Sequence, residues 1–391
     1  MSTIANTHGM DGTLVEADWP PLTLAEVRAL LLEFPGCGEP IEILSVSPRP
    51  FSAASVVSTR AKQVFIKRHH RTVRDREGLL EEHSFMNHLR IHGASVPRVL
   101  TPSSGETAIE IGEWTYEIHE VPAGIDVYEE ALSWTPFRSA AHARSAGETL
   151  ARLHLASQGY DAPRRKPRPL VASFTIFADE NPNAGMRDYL AARSALAEDA
   201  TTRQSCNHAL ELLAPFHAEL SPFLPELDPL WTHNDLHASN LMWSDASDNA
   251  QAVAVIDFGL ADRTNAVHDV AQAIERNIVE WLDLTPQFTQ QADVRVHLDH
   301  LYAMLDGYNS VRPLTEKESA ALAPMTALCH AEFALTEADY FLGVLHSEEK
   351  ARVASIDYLV GHARWFHSAG GEKLLDAIRH WAATHERVEK Q

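Results

Sequence analysis

The chain has 391 residues, 45% hydrophobic and 22% charged, the balance of a soluble globular protein with room for about two or three domains or lobes. With 33 Lys and Arg against 54 Asp and Glu, the net charge is −21, which disfavours nucleic acid and anionic membrane surfaces as partners. A small anion held in a locally basic cleft stays open.

Cys37, Cys206 and Cys329 are isolated and far apart, so neither a disulfide framework nor a zinc spacing is visible and a reduced compartment fits. The N-terminus has no basic segment leading into an apolar one, and no apolar run approaches the roughly 18 residues of a membrane span. The expectation is a cytoplasmic protein.

Residues 1–20 are polar and mixed and read as a loose tail. Thr23-Leu24-Ala25-Glu26 is a capping-box pattern, which predicts a helix to about Phe34, stopped by Gly36 and Gly38. The β-branched runs 42–48, 55–59 and 63–68 predict strands. An amphipathic stretch from Asp75 to His92 predicts a helix, and 95–100, 106–112 and 114–122 predict three more strands. Beyond Trp134 the pattern turns helical over 136–157, 186–218 and 268–390, broken by a β-rich island at 231–262. Strands followed by helices predict an α+β chain of two lobes: a tail 1–20, an N-lobe 21–122 and a C-lobe 123–391.

The chemistry concentrates in WTHNDLHASNLMWSDASDNAQAVAVIDFGLAD, residues 231–262. VAVI (253–256) reads as a buried strand delivering Asp257 at its end, and LMW (241–243) as its hairpin partner. Such a hairpin brings Asn240 beside Asp257. Their hard oxygens suit Mg²⁺ better than a softer metal. Asp235, on the loop just before, is free to face a substrate hydroxyl. His233 and His237 read as hydrogen-bonding partners of that loop rather than as zinc ligands.

The order His233, Asp235, His237, Asn240, then Asp257-Phe258-Gly259 and Asp269, resembles the aminoglycoside phosphotransferase and choline kinase-like family of kinase-fold enzymes. The resemblance implies a bilobal protein-kinase-like fold, with an antiparallel N-lobe sheet, one main helix and a larger, mainly helical C-lobe. It implies ATP as donor and Mg²⁺ as cofactor, with Asp235 orienting or deprotonating the acceptor hydroxyl. Asn240 and Asp257 would hold the metal, and Asp269 would buttress the loop. It further implies a phosphate-binding lysine, Lys67, at the end of Val64-Phe65-Ile66, and a helix glutamate beside it. Glu82 shares a helical face with Phe85 and Leu89 and is the first choice; Glu81 is the second. Adenine would lie against the backbone of Glu120 and Val121.

Two stretches depart from the pattern. The phosphate-covering loop, 48–55, holds no glycine, and Thr264-Asn265-Ala266 stands where the family often has Gly-Asp-Pro. No activation segment ending in Ala-Pro-Glu is visible. The combination points to a small-molecule hydroxyl acceptor, with a monomer or a homodimer equally open. Glu275, Glu280, Glu332, Glu337 and Asp339, with Trp281 or Tyr340, are candidates to surround a cationic amino alcohol, amino sugar or aminoglycoside. The alternatives are an atypical protein kinase and a catalytically inert kinase-fold binding module. Lys67, Asp235, Asn240 and Asp257 are all present, which argues against the inert module.

Overall fold

In a computed structural model the chain is described over residues 17–47, 49–281 and 294–389. The first helix, α1 (Leu24–Leu31), carries the expected capping box between Thr23 and Glu26. It ends three residues earlier than the periodicity suggests. Strands β1 (Pro40–Val46), β2 (Ala53–Thr59), β3 (Gln63–His70), β4 (Ile109–Ile111) and β5 (Trp114–Glu120) form one antiparallel sheet, ordered β1-β2-β3-β5-β4. Helix α2 (Arg76–Ile91) starts at the Asp75 cap and buries Leu79, Glu82, Phe85, Met86 and Leu89. The segment 95–100 is not a full strand. Pro97 has no amide to donate, and the contact shrinks to a bridge between Val99 and His119.

The remainder is mostly helical. Helix α3 (Ala140–Ser157) packs along α8 (Leu298–Val311) so closely that a Cβ on Gly147 would lie 2.0 Å from the Met304 carbonyl oxygen. The expected helix at 186–218 is three: α4 (Pro182–Ala191), α5 (Ser194–Glu198) and α6 (Ala200–Leu220), re-entered through the Asp199 cap. The β-rich island resolves into β6 (Pro229–Thr232), β7 (Leu241–Trp243), β8 (Ala252–Val255) and β9 (Asp262–Asn265), paired as β6-β9 and β7-β8.

Helix α7 (Ala266–Ile278) follows, capped by Asn265, and all 13 of its residues are buried. Then come α9 (Glu316–Leu328), α10 (His330–Gly343), α11 (Glu348–Arg352), a π-helical stretch Val353–Val360, α12 (Gly361–Trp365) and α13 (Ala369–Glu389). One large core joins α3, α6, α7, α9 and α10 to Phe85, Met86 and Leu89 of α2, while a smaller core lies between α1 and the sheet. Among the described residues no helix is long and apolar enough to cross a membrane. The three cysteines are free and buried.

The loose-tail reading fails at its end. Asp18 takes an ion pair from Lys350 (2.6 Å) and a hydrogen bond from the Tyr340 hydroxyl (3.0 Å), while its own amide donates to the Pro50 carbonyl (3.1 Å). Phe51, in the β1–β2 loop, packs edge-on against Tyr340 of α10 with ring centroids 5.1 Å apart. The loop is thus held against the C-terminal helices. Of the expected phosphate-covering segment, Pro48 lies outside the described residues, as do Leu282, Asp283 and Leu284 of the expected acceptor-side stretch.

Candidate active site

The β7–β8 hairpin does what its sequence pattern promised. Leu241 pairs with Val255, and the Ile256 amide donates to the Asn240 carbonyl (2.9 Å), which sets Asn240 and Asp257 on adjacent segments. The Asn240 side-chain amide donates to the Asp235 carbonyl (2.9 Å) and towards Asp235 Oδ2 (3.3 Å), so its Oδ1 is the atom left for a cation. Asn234 and Asp257 both have φ of +60°, a sparsely populated conformation for residues with a Cβ. Each flanks or carries a predicted site residue.

The loop holding Asp235 is fixed from below by α7. Asp269 accepts the amides of His233 (2.9 Å) and Asn234 (2.8 Å), and its other contact is His154 Nε2 (3.0 Å), itself bonded to the Tyr308 hydroxyl (2.7 Å). Asn277, two turns further along, accepts the Ala238 amide and donates to the Leu236 carbonyl, both at 2.9 Å. His233 donates from Nε2 to the Ile256 carbonyl and accepts the Asp235 amide on Nδ1. His237 bonds Ser239 through Nδ1. Both histidines hold the loop, as expected from the sequence.

Asp235 is 8% exposed and faces Arg276, whose Nη2 lies 2.9 Å from Asp235 Oδ1. The Arg276 guanidinium is sandwiched between the rings of Trp134 and Phe333, each 3.8 Å away. Burial pushes the Asp235 carboxyl up to about 6, and the Arg276 charge opposes that rise. Neither Arg276 nor Asn277 was singled out in the sequence. A signal was there: both lie seven or eight residues after Asp269, on its face of a helix.

Lys67 stands on β3, and the carboxylate it touches directly is Asp257. Its Nζ lies 2.8 Å from Asp257 Oδ1. Burial alone would raise the Asp257 pKa and lower that of Lys67; their mutual attraction outweighs it, holding Asp257 well below the carboxylate range and Lys67 above the usual ammonium value. Glu82 instead lies 3.9 Å from Arg74 Nε, and Glu81 pairs with Arg168 (2.8 Å) and Arg165 (3.4 Å). Arg74 and Arg165 clamp the Asp257-Phe258-Gly259 segment through the Gly259 carbonyl, at 2.5 and 3.0 Å. Lys67 also feels the charges of Glu82 and of Glu117, its neighbour across the sheet on β5.

At the junction after β5, the Glu120 amide is committed to the Arg98 carbonyl (2.9 Å) and its side chain to the Arg98 guanidinium (2.6 Å). The expected adenine contact therefore loses that donor, while Val121 is exposed at the start of the following loop. Arg49, in the glycine-free loop, donates to the Ala131 carbonyl (3.1 Å) and feels the charges of Asp126, Asp257 and Asp235.

The acidic residues proposed around a cation divide. Glu332 accepts the amides of Thr175 and Ile176, Asp339 lies 3.8 Å from Arg193, and Glu280 pairs with His297 (2.7 Å). Trp281 stacks on His362 (3.5 Å) and Tyr340 serves Asp18. These five are engaged in holding the fold. Glu275 and Glu337 lie near Arg276: Glu275 is fully buried and bonded to His362 Nδ1 (2.7 Å), and burial pushes the two carboxyls up to about 7 and about 8, with Glu337 also feeling the Asp235 charge.

A strand-rich lobe whose half-buried lysine meets an Asp at a hairpin end, beside a loop Asp and an Asn, is the arrangement expected of a kinase-fold phosphotransferase. A profile described as "APH: Phosphotransferase enzyme family" matches residues 51–314, and the chain belongs to that family. It is a phosphotransferase with an alcohol group as acceptor. A homoserine kinase of Afipia carboxidovorans is 27% identical over 267 residues, 67% of this chain and 68% of the relative. One of Gluconacetobacter diazotrophicus is 25% identical over 287 residues, 70% and 74% of the two chains. The fold is shared with a microcompartment-associated aminopropanol kinase (TM-score 0.58, 19% identity, 91% and 99% of the chains covered). It is shared too with the amicoumacin kinase hAmiN in complex with AMP-PNP, Ca²⁺ and Ami (TM-score 0.54, 14% identity, 89% and 99% covered).

Proposed function

We propose that the protein transfers the γ-phosphoryl group of ATP, with Mg²⁺, to a hydroxyl of a small aminated alcohol or hydroxy amino acid. The observation that carries this is the two ion pairs on either side of Asn240: Lys67 with Asp257, assigned to the nucleotide, and Asp235 with Arg276, assigned to the acceptor.

The donor set fits the metal. Asp257 is held ionised by Lys67, and the Asn240 amide nitrogen is turned to Asp235, leaving two hard oxygen donors on adjacent segments. Bound there, Mg²⁺ would neutralise charge on the transferring phosphates. Lys67 would exchange part of its contact with Asp257 for phosphate oxygens. Asp235 would accept a hydrogen bond from the acceptor hydroxyl and take its proton as the bond to phosphorus forms. The Arg276 pair keeps that carboxylate oriented and ionised in a buried place.

The acceptor side offers Glu337, half-buried beside Arg276 and Asp235, a carboxyl that an amine near the reacting hydroxyl would draw into its ionised form. The homoserine kinase relatives and the aminopropanol kinase fold neighbour support that choice.

The test is ADP release from Mg-ATP against homoserine, aminopropanol, choline, aminoglycosides and a sugar lacking nitrogen, with Asp235→Asn alongside. The proposal expects stimulation by an aminated alcohol, lost in the variant. Stimulation only by the nitrogen-free sugar, or an undiminished variant, would overturn it.

A further inference from the structure

Glu117, 1% exposed on β5, receives three imidazoles. His69 Nε2 lies 3.0 Å from its Oε1, while His83 Nε2 and His119 Nε2 lie 2.8 and 2.7 Å from its Oε2. The sequence places them by period. Glu117 and His119 are two apart on β5 and share a face; His69 stands on the neighbouring strand, paired at Thr115; His83 descends from α2. None of the four was singled out in the sequence, and the phosphoryl transfer proposed above does not use them.

We propose that His83, His119 and Glu117 form a binding site for a transition-metal dication of zinc type. One ligand atom from each lies within 4.8 Å of the others, and all three residues are buried. Zinc–nitrogen and zinc–oxygen bonds of about 2.0–2.2 Å put tetrahedral ligands about 3.3 Å apart, so each ring would withdraw from Oε2 by about half an ångström and the two ring nitrogens would settle at a like separation. Two imidazoles and a carboxylate make the donor set of a site with an open fourth position, and they favour zinc, cobalt or copper over magnesium.

The surroundings complete it. His83 Nδ1 is 2.8 Å from Thr107 Oγ1, an acceptor for the ring proton once Nε2 carries the metal. His69 holds the second Glu117 oxygen and so orients the carboxylate. The donors differ from the oxygen pair Asn240 and Asp257, so the site selects a different ion.

Equilibrium dialysis of the full chain against Zn²⁺, without nucleotide, tests this by metal analysis. A second group, His297, Asp299 and His300, is partly exposed and must be removed first, so the reference protein carries His297→Gln and His300→Gln. The expected result is one equivalent of zinc in the reference protein, lost on adding His83→Gln or His119→Gln. Zinc absent from the reference protein, or retained through both additional substitutions, would overturn the proposal. Should those variants fail to melt cooperatively, Co²⁺ added to the reference protein decides. An intense visible band of four- or five-coordinate cobalt supports the site; the faint band of the six-coordinate ion overturns it.

Discussion

Lys67 Nζ and Asp257 Oδ1, 190 positions apart in the chain, meet at 2.8 Å and tie β3 to the end of the β7–β8 hairpin. Under the proposed function the pair joins the group assigned to the phosphates to one assigned to the metal. Replacing Lys67 by Met is expected to raise KM for ATP and lower kcat. Replacing Asp235 by Asn should lower kcat by roughly 10²–10⁴-fold, the usual worth of a positioned acid–base group, with little change in ATP affinity. Steady-state kinetics beside nucleotide binding separate the two, and an Asp235→Asn enzyme with near-normal kcat would refute the assigned role.

Arg276 answers a buried carboxylate, so its loss leaves a charge unpaired. Arg276→Met is expected to destabilise the fold by about 3–5 kcal/mol, the typical cost of breaking a buried pair from one side. Arg276→Lys should recover only part of that, because an ammonium cannot stack as a plane between Trp134 and Phe333. Urea unfolding of the three proteins measures this. Full recovery by lysine would show that charge alone matters.

Glu275 and Glu337 make stability depend on pH. Their ordinary value is 4.5, and in the fold they rise to about 7 and about 8. A raised folded pKa means the native state binds protons more tightly than the unfolded chain. The contribution is complete below about 4.5 and is lost as pH climbs through 7 and 8. Glu337→Gln keeps the neutral shape, so its Tm should fall less than the wild-type Tm between pH 5 and about 8.5. Parallel curves would place the pH dependence elsewhere.

The contact of Phe51 with Tyr340, and of Asp18 with Lys350 and Pro50, latches the glycine-free loop to α10. Phe51→Ala should free the loop. Hydrogen exchange of the Asp18 amide, protected by the Pro50 carbonyl, should speed up severalfold while amides of α7 stay unchanged. Unchanged exchange at Asp18 would mean that the ion pair alone secures the segment.

How much of this was legible follows from distance along the chain. Asn240 and Asp257 belong to one hairpin, and alternating apolar residues with a polar turn announce it. The capping boxes at Thr23 and Thr315 are local, though only the first was noticed. The ion pair of Lys67 with Asp257 was not legible, because the two stand 190 positions apart and nothing local in the chain brings them together. The acidic residues of α10 misled for a related reason: Glu332 and Asp339 look free in sequence, and only packing shows the amides and the arginine that occupy them. The glutamate among three histidines was hidden likewise, its ligands coming from two strands and a helix.

Helix α7 holds the Asp235 loop at both ends, Asp269 at one and Asn277 at the other. Eight residues at 1.5 Å each make it a spacer of about 12 Å between those grips. One residue inserted between them would swing the far grip by about 100° and aim it away from the loop. The length of α7 is thereby a gauge for the site: lengthening or shortening it between the grips would leave the loop fastened at one end only.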